Sequence, residues 1–311
     1  MKIDGTTQIY GIIGDPVAHS LSPVMQNAAF AACGIDAVYV PFHVASAGLA
    51  AAVAGMRALG VQGINVTIPH KESILPLLDA VDRGAELIGA VNTVINKSGT
   101  LVGYNTDGLG LLHSLQSDLQ VVLSAETEVI ILGAGGAARA AIVTIAQQGV
   151  RSITILNRSE QRAQALVARY SAQFPQVTFR SAAYITNRGA TGDTGCGSSA
   201  YLRSTSEAQT TEYFKKCHLI VNSTSIGLSG ESFNVIPWKN VNKTAVVYDM
   251  IYAAHATPLV RAATEAGFVA CDGLGMLAAQ GEAAFELWTG KSAVGLMRTV
   301  LEQQVADCAP R

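Results

Sequence analysis

Charge is scarce in this chain: only 14% of its 311 residues are Asp, Glu, Lys or Arg, and the formal net charge is −2. A chain so thinly charged carries no electrostatic footprint for nucleic acid or an anionic membrane, which points to small molecules or like subunits as partners; whether it is a monomer or homodimer is not readable from the sequence. Cysteine is also sparse. Cys33, Cys196, Cys217, Cys271 and Cys308 are scattered, with no CxxC pair and no His at zinc-ligand spacing. That pattern argues against a disulfide framework and against a metal site, and it fits a reducing cytoplasm. The first residues, MKIDGTTQIYGIIG, lack an apolar core followed by a small-residue cleavage site, so no secretory signal is expected. One uncharged stretch, residues 37–56, is long enough to span a bilayer, yet Pro41, His43, Ser46 and Gly48 interrupt it. It reads instead as a strand followed by an alanine-rich helix.

What the chain does contain is alternation. Apolar strand patterns occur at IYGIIG, VYVPFHV, GINVTI, VNTVIN, EVIILG, SITILN, VTFRSA, LIVNST and AVVYDMIY, with helical patterns such as PVMQNAAFAA and EQRAQALVARY between many of them. Such alternation predicts an α/β protein with parallel sheets built from βαβ units, and the length predicts two domains. A substrate-binding domain is expected over 1–120, joined by C-terminal helices over 274–311, with a Rossmann-like dinucleotide-binding domain over 121–273. Residues 181–212, rich in Gly, Ser and Thr, read mostly as a mobile loop.

The most specific local pattern is LGAGGAARA. Gly133, Gly135 and Ala138 follow an apolar strand and open a helix in G-x-G-x-x-G/A spacing, so that Gly133, Ala134, Gly135, Gly136 and Ala137 form the turn a pyrophosphate would approach. The next strand ends in Asn157, Arg158 and Ser159, with Arg162 one helical turn on, where a reader of the ribose 2′-hydroxyl would carry Asp or Glu. A guanidinium there suits a 2′-phosphate, so NADP is favoured over NAD. Ser159 also reads as the N-cap of the following helix.

Two further stretches concentrate polar groups beside strands. GINVTIPHK places Asn65 and Thr67 along a strand and Lys71 just beyond it. GYNTDG supplies Asn105, Thr106 and Asp107 after a hairpin across NKSG, with Asn92 on the preceding strand. In HSLSP, Ser22 and Pro23 read as N-cap and first helical residue; local sequence leaves open whether Ser20 and Ser22 also receive a carboxylate.

HSLSP, NVTIPHK, GAVNTV, GYNTDG, LGAGGAARA, NSTSIGL and DGLGMLAAQ occur in the order in which they appear in the shikimate/quinate dehydrogenase family, which the chain resembles over almost its whole length. The resemblance implies NADP-dependent, reversible reduction of 3-dehydroshikimate to shikimate, in the pathway to chorismate and the aromatic amino acids. It implies that Lys71 and Asp107 form the catalytic pair and that Ser20 and Ser22 bind the substrate carboxylate. Asn65, Thr67, Asn92, Asp107 and Gln280 would hold the ring hydroxyls, with Tyr252 near the carboxylate, and Thr224 and Gly273 would border the nicotinamide. The chemistry is consistent with a metal-free site: as hydride leaves a carbinol carbon, its O–H proton needs a base, and a lysine can serve as base and as alkoxide stabiliser. Broader quinate and NAD use is an alternative with which Leu21 is compatible. A non-catalytic sensor is another, although such a relative should have lost Lys71 or Asp107. A folate-linked dehydrogenase has no evident use for HSLSP and GYNTDG together.

Overall fold

The computed structural model describes residues 3–186, 200–201, 207–228, 236–253 and 255–308. Backbone contacts divide the chain into two compact units: one runs through Leu111 and resumes at Gly275, and the other spans Leu112–Leu274. The chain begins with β1 (Gln8–Gly14), α1 (Ser22–Ala32), β2 (Ala37–His43), α2 (Leu49–Ala58), β3 (Gly63–Val66), β4 (Ala80–Val81), α3 (Arg83–Ile88), β5 (Thr93–Lys97), β6 (Thr100–Tyr104) and α4 (Asp107–Leu119). There follow β7 (Glu128–Leu132), α5 (Gly136–Gln147), β8 (Ser152–Asn157), α6 (Glu160–Ser171), β9 (Thr178–Ala183), β10 (Ile185–Thr186), β11 (Ala200–Tyr201) and α7 (Glu207–Lys216). The series closes with β12 (Leu219–Asn222), β13 (Val246–Asp249), α8 (Pro258–Glu265), β14 (Val269–Cys271), α9 (Leu274–Thr289) and α10 (Leu296–Cys308).

All nine strands expected from the apolar patterns form. The first unit holds a 6-stranded sheet in the order β2-β1-β3-β5-β6-β4, in which β5 alone is reversed. The reversal comes from the hairpin at Lys97–Thr100: Ser98 and Gly99 both take positive φ, 53° and 92°, the twist a two-residue turn needs to fold one strand back on another. One face of this sheet packs Ile13, Ile64, Val66 and Val94 against Val53 and Ile74. β3 is buried along its whole length, so Asn65, opposite Ile64 and Val66 in side-chain direction, is buried too.

The second unit holds a 6-stranded sheet in the order β14-β13-β12-β7-β8-β9 with every pair parallel. Its strands β7, β8, β12 and β13 are buried along nearly their whole length, as expected where helices cover both faces. Within 181–212, the described residues are ordered secondary structure: the end of β9, the short antiparallel pair β10 and β11, and the start of α7. The mobile-loop expectation is corrected for these parts, because Tyr184 and Thr210 are buried and anchor them. Residues 187–199 and 202–206 lie outside the described residues. No helix among the described residues is long and apolar enough to cross a membrane.

Candidate active site

The polar residues of the first unit meet at one edge of its sheet. The carboxyl ends of β1, β3 and β6 lie there, and the reversed β5 begins there, with Asn65 paired to Thr93 and Thr93 to Tyr104. The loops leaving this row carry the remaining groups. Beyond β3 the chain turns at the cis Ile68–Pro69 bond, and the backbone N–H of His70 donates to the carbonyl of Thr67 at 2.9 Å. The fully buried His70 ring bonds the carbonyl of Val44 at 2.6 Å, and the carbonyl of Lys71 accepts from Val91 at 2.8 Å. Lys71 is thus held by its backbone rather than left on a free loop.

Asp107 opens α4, where unpaired N–H groups favour a carboxylate. Asn105 sets its position by accepting from the Asp107 N–H at 3.1 Å and donating to the carbonyl of Ala90 at 2.9 Å. The Lys71 ammonium donates to Asp107 Oδ2 at 2.6 Å, with side-chain exposures of 16% and 6%. Asn92 Nδ2 donates to Asp107 Oδ1 at 2.8 Å, to the Thr106 hydroxyl at 2.9 Å and to Gln280 Oε1 at 3.3 Å. The Asn92 carbonyl oxygen accepts from the Thr106 N–H at 2.8 Å. Gln280 reaches this group because Gly110 lets α9 approach α4: a Cβ there would lie 2.7 Å from the carbonyl of Met276 and 2.9 Å from Cβ of Gln280.

Asn65 is engaged at both ends of its amide, with one lone pair of Oδ1 still open. Its Nδ2 donates to the carbonyl of Asn92 and to the Thr93 hydroxyl, both at 3.1 Å, and its Oδ1 accepts from the Tyr39 hydroxyl at 2.7 Å. Both amide hydrogens are used within the protein. Asn65 therefore braces Asn92. Thr93, Tyr39 and Gly110 escaped the reading of the sequence: Tyr39 looks like any core aromatic, and nothing local marks Gly110 as a helix contact.

Thr67 is half-buried against Gly14 and makes no side-chain hydrogen bond with this cluster. Ser22 is the first residue of α1, while Leu21 occupies the cap position without a side-chain cap bond. The N-cap assignment of Ser22 is corrected accordingly. Ser20 Oγ accepts from the Ser22 N–H at 3.3 Å, so the local turn uses Ser20 and leaves the buried Ser22 hydroxyl without a hydrogen bond among the described residues.

In the second unit, Gly133 adopts φ 115° at the end of β7, and a Cβ there would lie 2.6 Å from Ser223 Oγ. Gly135 is the N-cap of α5; it supplies no side-chain cap, and a Cβ on it would meet only open space. With Ala134, Gly136 and Ala137, these glycines leave the helix N–H groups accessible to a phosphate, so the turn fits a dinucleotide. Arg158 and Arg162 are exposed and have no ion pair with a carboxylate among the described residues. Asn157 Nδ2 donates to the carbonyl of Ser159 at 2.9 Å. Ser159 caps α6 by position, without a side-chain cap bond. Thr224 lies in the loop after β12, and Tyr252 is half-buried just past β13. Gly273 is buried where a Cβ would lie 2.5 Å from the carbonyl of Met250.

A parallel sheet in this order, with a glycine turn after its first strand, defines a dinucleotide-binding oxidoreductase fold, here interrupting a second α/β unit. The chain belongs to the shikimate dehydrogenase family. Residues 12–94 match the family described as shikimate dehydrogenase substrate binding domain, residues 116–188 match shikimate/quinate 5-dehydrogenase, and residues 273–302 match shikimate 5′-dehydrogenase C-terminal domain. The chain is 46% identical over 290 residues to a shikimate dehydrogenase (NADP(+)) of Geobacter sp. strain M21, covering 93% of this chain and 92% of that protein. The crystal structure of shikimate dehydrogenase from Aquifex aeolicus matches with a TM-score of 0.80 at 38% identity, covering 98% of this chain and 100% of that one. The enzyme from Thermus thermophilus, solved in complex with NADP(H) and shikimate, matches with a TM-score of 0.78 at 30% identity, covering 96% and 99%.

Proposed function

We propose that this protein is an NADP-dependent shikimate dehydrogenase that reversibly reduces 3-dehydroshikimate to shikimate, with Lys71 and Asp107 as its catalytic pair. The observation that carries the reading is the largely buried 2.6 Å contact between them, flanked by Asn92 and Gln280 at one sheet edge. Bound NADP supplies the hydride acceptor, and in the reverse direction NADPH supplies the hydride. Lys71 in its neutral amine form takes the proton of the substrate hydroxyl as the C–H bond breaks, becoming the ammonium that Asp107 holds, and that ammonium returns the proton to the carbonyl oxygen in reduction. Asp107 orients the ammonium and accepts from a ring hydroxyl. Asn92, fixed by Thr106 and Asn65, orients the carboxylate of Asp107 in turn. Ser20 and Ser22 receive the substrate carboxylate, for which the unengaged Ser22 hydroxyl is suited, while Asn65, Thr67, Asn92 and Gln280 bind ring hydroxyls. Tyr252 approaches the carboxylate, and Thr224 and Gly273 border the nicotinamide. Arg158, Asn157, Ser159 and Arg162 bind the 2′-phosphate. A small polar substrate and the free thiols of Cys33, Cys217 and Cys271 among the described residues fit a cytoplasmic enzyme working as a monomer or homodimer, apart from nucleic acid and membrane.

Absorbance of the reduced nicotinamide, followed with NADP and NAD against shikimate and quinate in parallel, tests this reading. The expected result is fastest turnover with NADP and shikimate. Faster turnover with NAD and quinate would replace it with the quinate-using alternative, and no turnover with binding intact would make the protein a sensor.

A further inference from the structure

Asp249, the last residue of β13, is completely buried (0% exposed), and no step of the proposed reaction uses it. Its carboxylate accepts three hydrogen bonds: Oδ1 from Asn222 Nδ2 at 2.8 Å and from the Ile251 N–H at 3.1 Å, and Oδ2 from the Thr257 hydroxyl at 2.6 Å. Burial pushes its carboxyl up to about 6; the three donors oppose that rise, and the carboxylate of Asp272 adds to it. A buried ionised carboxylate is therefore kept at neutral pH against its own desolvation, and such a group needs a reason beyond stability.

The reason lies in what a carboxylate does to a neighbouring amide. Asn222 has one donating end and one accepting end, and an acceptor-only partner fixes which end faces β13. With its NH2 turned to Asp249, its carbonyl oxygen faces the loop after β12. There it accepts from the Thr224 N–H at 3.0 Å and the Thr224 hydroxyl at 2.7 Å, and Thr224 Oγ1 accepts from the Ile226 N–H at 3.2 Å. The same loop is pinned on its other side, where the N–H and hydroxyl of Ser223 donate to the carbonyl of Leu132 at 2.9 and 2.7 Å. Ser223 is also the residue that leaves Gly133 no room for a Cβ. The loop is thus a wall of the glycine turn, between β7 and β12, where the strand order of the sheet reverses and dinucleotides bind.

We propose that Asp249 is a positioning residue for the dinucleotide site: through Asn222 it sets the Ser223–Leu228 loop against the Gly133 turn, and through Thr257 it ties that setting to the start of α8. This deepens the reading of the Leu112–Leu274 unit as the NADP site and rests on it. Asp249→Leu, of similar size, removes every acceptor and frees the Asn222 amide to turn over. Asp249→Asn still presents an oxygen to Asn222 and Ile251, while its NH2 can face a Thr257 hydroxyl turned to accept. The two variants are compared with wild type by calorimetric binding of NADP, by KM for shikimate, and by hydrogen exchange of the Thr224 and Ile226 amides. The expected result for Asp249→Leu is NADP binding at least about tenfold weaker, little change in shikimate KM and faster exchange at both amides, with Asp249→Asn within about threefold of wild type. A folded Asp249→Leu protein with unchanged NADP binding and exchange would overturn the proposal, as would equal weakening of NADP and shikimate. Should Asp249→Leu not fold, Thr257→Val must weaken NADP binding by itself, and unchanged binding there overturns the proposal too. If wild type binds no NADP, the cofactor reading fails, while the exchange rates still judge whether Asp249 sets the loop.

Discussion

At the scale of the residue, the decisive pair joins two side chains 36 positions apart in the sequence. Removing either partner leaves a buried charge without its counterion, a loss of about 3–5 kcal/mol for fully buried pairs. Lys71→Met should therefore lower both turnover, by at least about a hundredfold as expected for a general acid–base group, and the thermal midpoint. Adding Asp107→Asn to Lys71→Met should restore much of the midpoint and none of the turnover, which melting curves and steady-state rates of the four proteins would decide. A double variant as unstable as the single would mean the pair is not electrostatically coupled. Arg158→Ala makes a separate claim. Charge-assisted bonds contribute about 1.5–3 kcal/mol, so the variant should lose roughly tenfold to a hundredfold in kcat/KM with NADP, chiefly through KM, and almost nothing with NAD. Equal losses with both cofactors would remove Arg158 from phosphate reading. Lys71 and Arg158 stand out in the sequence because each is a charge at a strand end in a chain poor in charge, and the pairing of Lys71 with Asp107 came from the family resemblance. The bracing of Asn92 by Asn65, and of Asn65 by Tyr39, was not legible there, because an amide's partners depend on strand pairing that no local pattern encodes.

At the scale of the element, strands were read well because their apolar runs and boundaries are local. Every run that was expected to form a strand did so. β4 and β14, of two and three residues, were too short to leave a pattern. The contact between α4 and α9 was hidden for a different reason: Gly110 matters only because another helix arrives from more than 160 positions away, near Met276. Gly110→Ala should force the helices apart, with an overpacking cost of about 1–3 kcal/mol and a raised KM for shikimate as Gln280 withdraws from Asn92. An unchanged KM would show that Gln280 does not depend on this approach. The strand end at Asp249 carries a pH signature. Burial raises its folded-state pKa to about 6 from the ordinary carboxyl value of 3.8, so its contribution is fully present below the lower value and is lost as pH rises through the higher one. Asp249→Asn abolishes this loss. Relative to wild type, the variant should gain about 3 kcal/mol between roughly pH 4 and pH 7 and nothing further above that, as read from paired thermal midpoints. A difference independent of pH would mean the carboxyl does not titrate in this window.

At the scale of the whole molecule, the chain builds one unit, leaves it at Leu111 to build the other, and resumes the first at Gly275. The alternation of strands and helices announced α/β architecture. The strand order within each sheet could not be read from it, because the hairpin that reverses β5 and the crossovers that place β12 beside β7 are choices among topologies with the same local patterns. The proposed ligands address different units: Lys71, Asn92, Asp107 and Gln280 belong to the first, and the Gly133 turn, Arg158 and Thr224 to the second. A ligand that binds only the folded state slows the opening of the amides it covers by the ratio of its concentration to its dissociation constant, about 2.7 kcal/mol at a hundredfold excess. Hydrogen exchange measured with each ligand alone should then give two separate footprints. NADP should protect residues 133–139, 157–162 and 222–226, and shikimate should protect residues 65–71, 91–93 and 105–108, each by up to about a hundredfold where opening is local. NAD at the same excess over its own dissociation constant should protect the glycine turn but not residues 157–162, because it carries no 2′-phosphate to hold the arginines. Shikimate binding that left residues 65–71 and 105–108 exchanging as in the free protein would move the substrate away from Lys71 and Asp107 and remove the basis for assigning them the proton transfer.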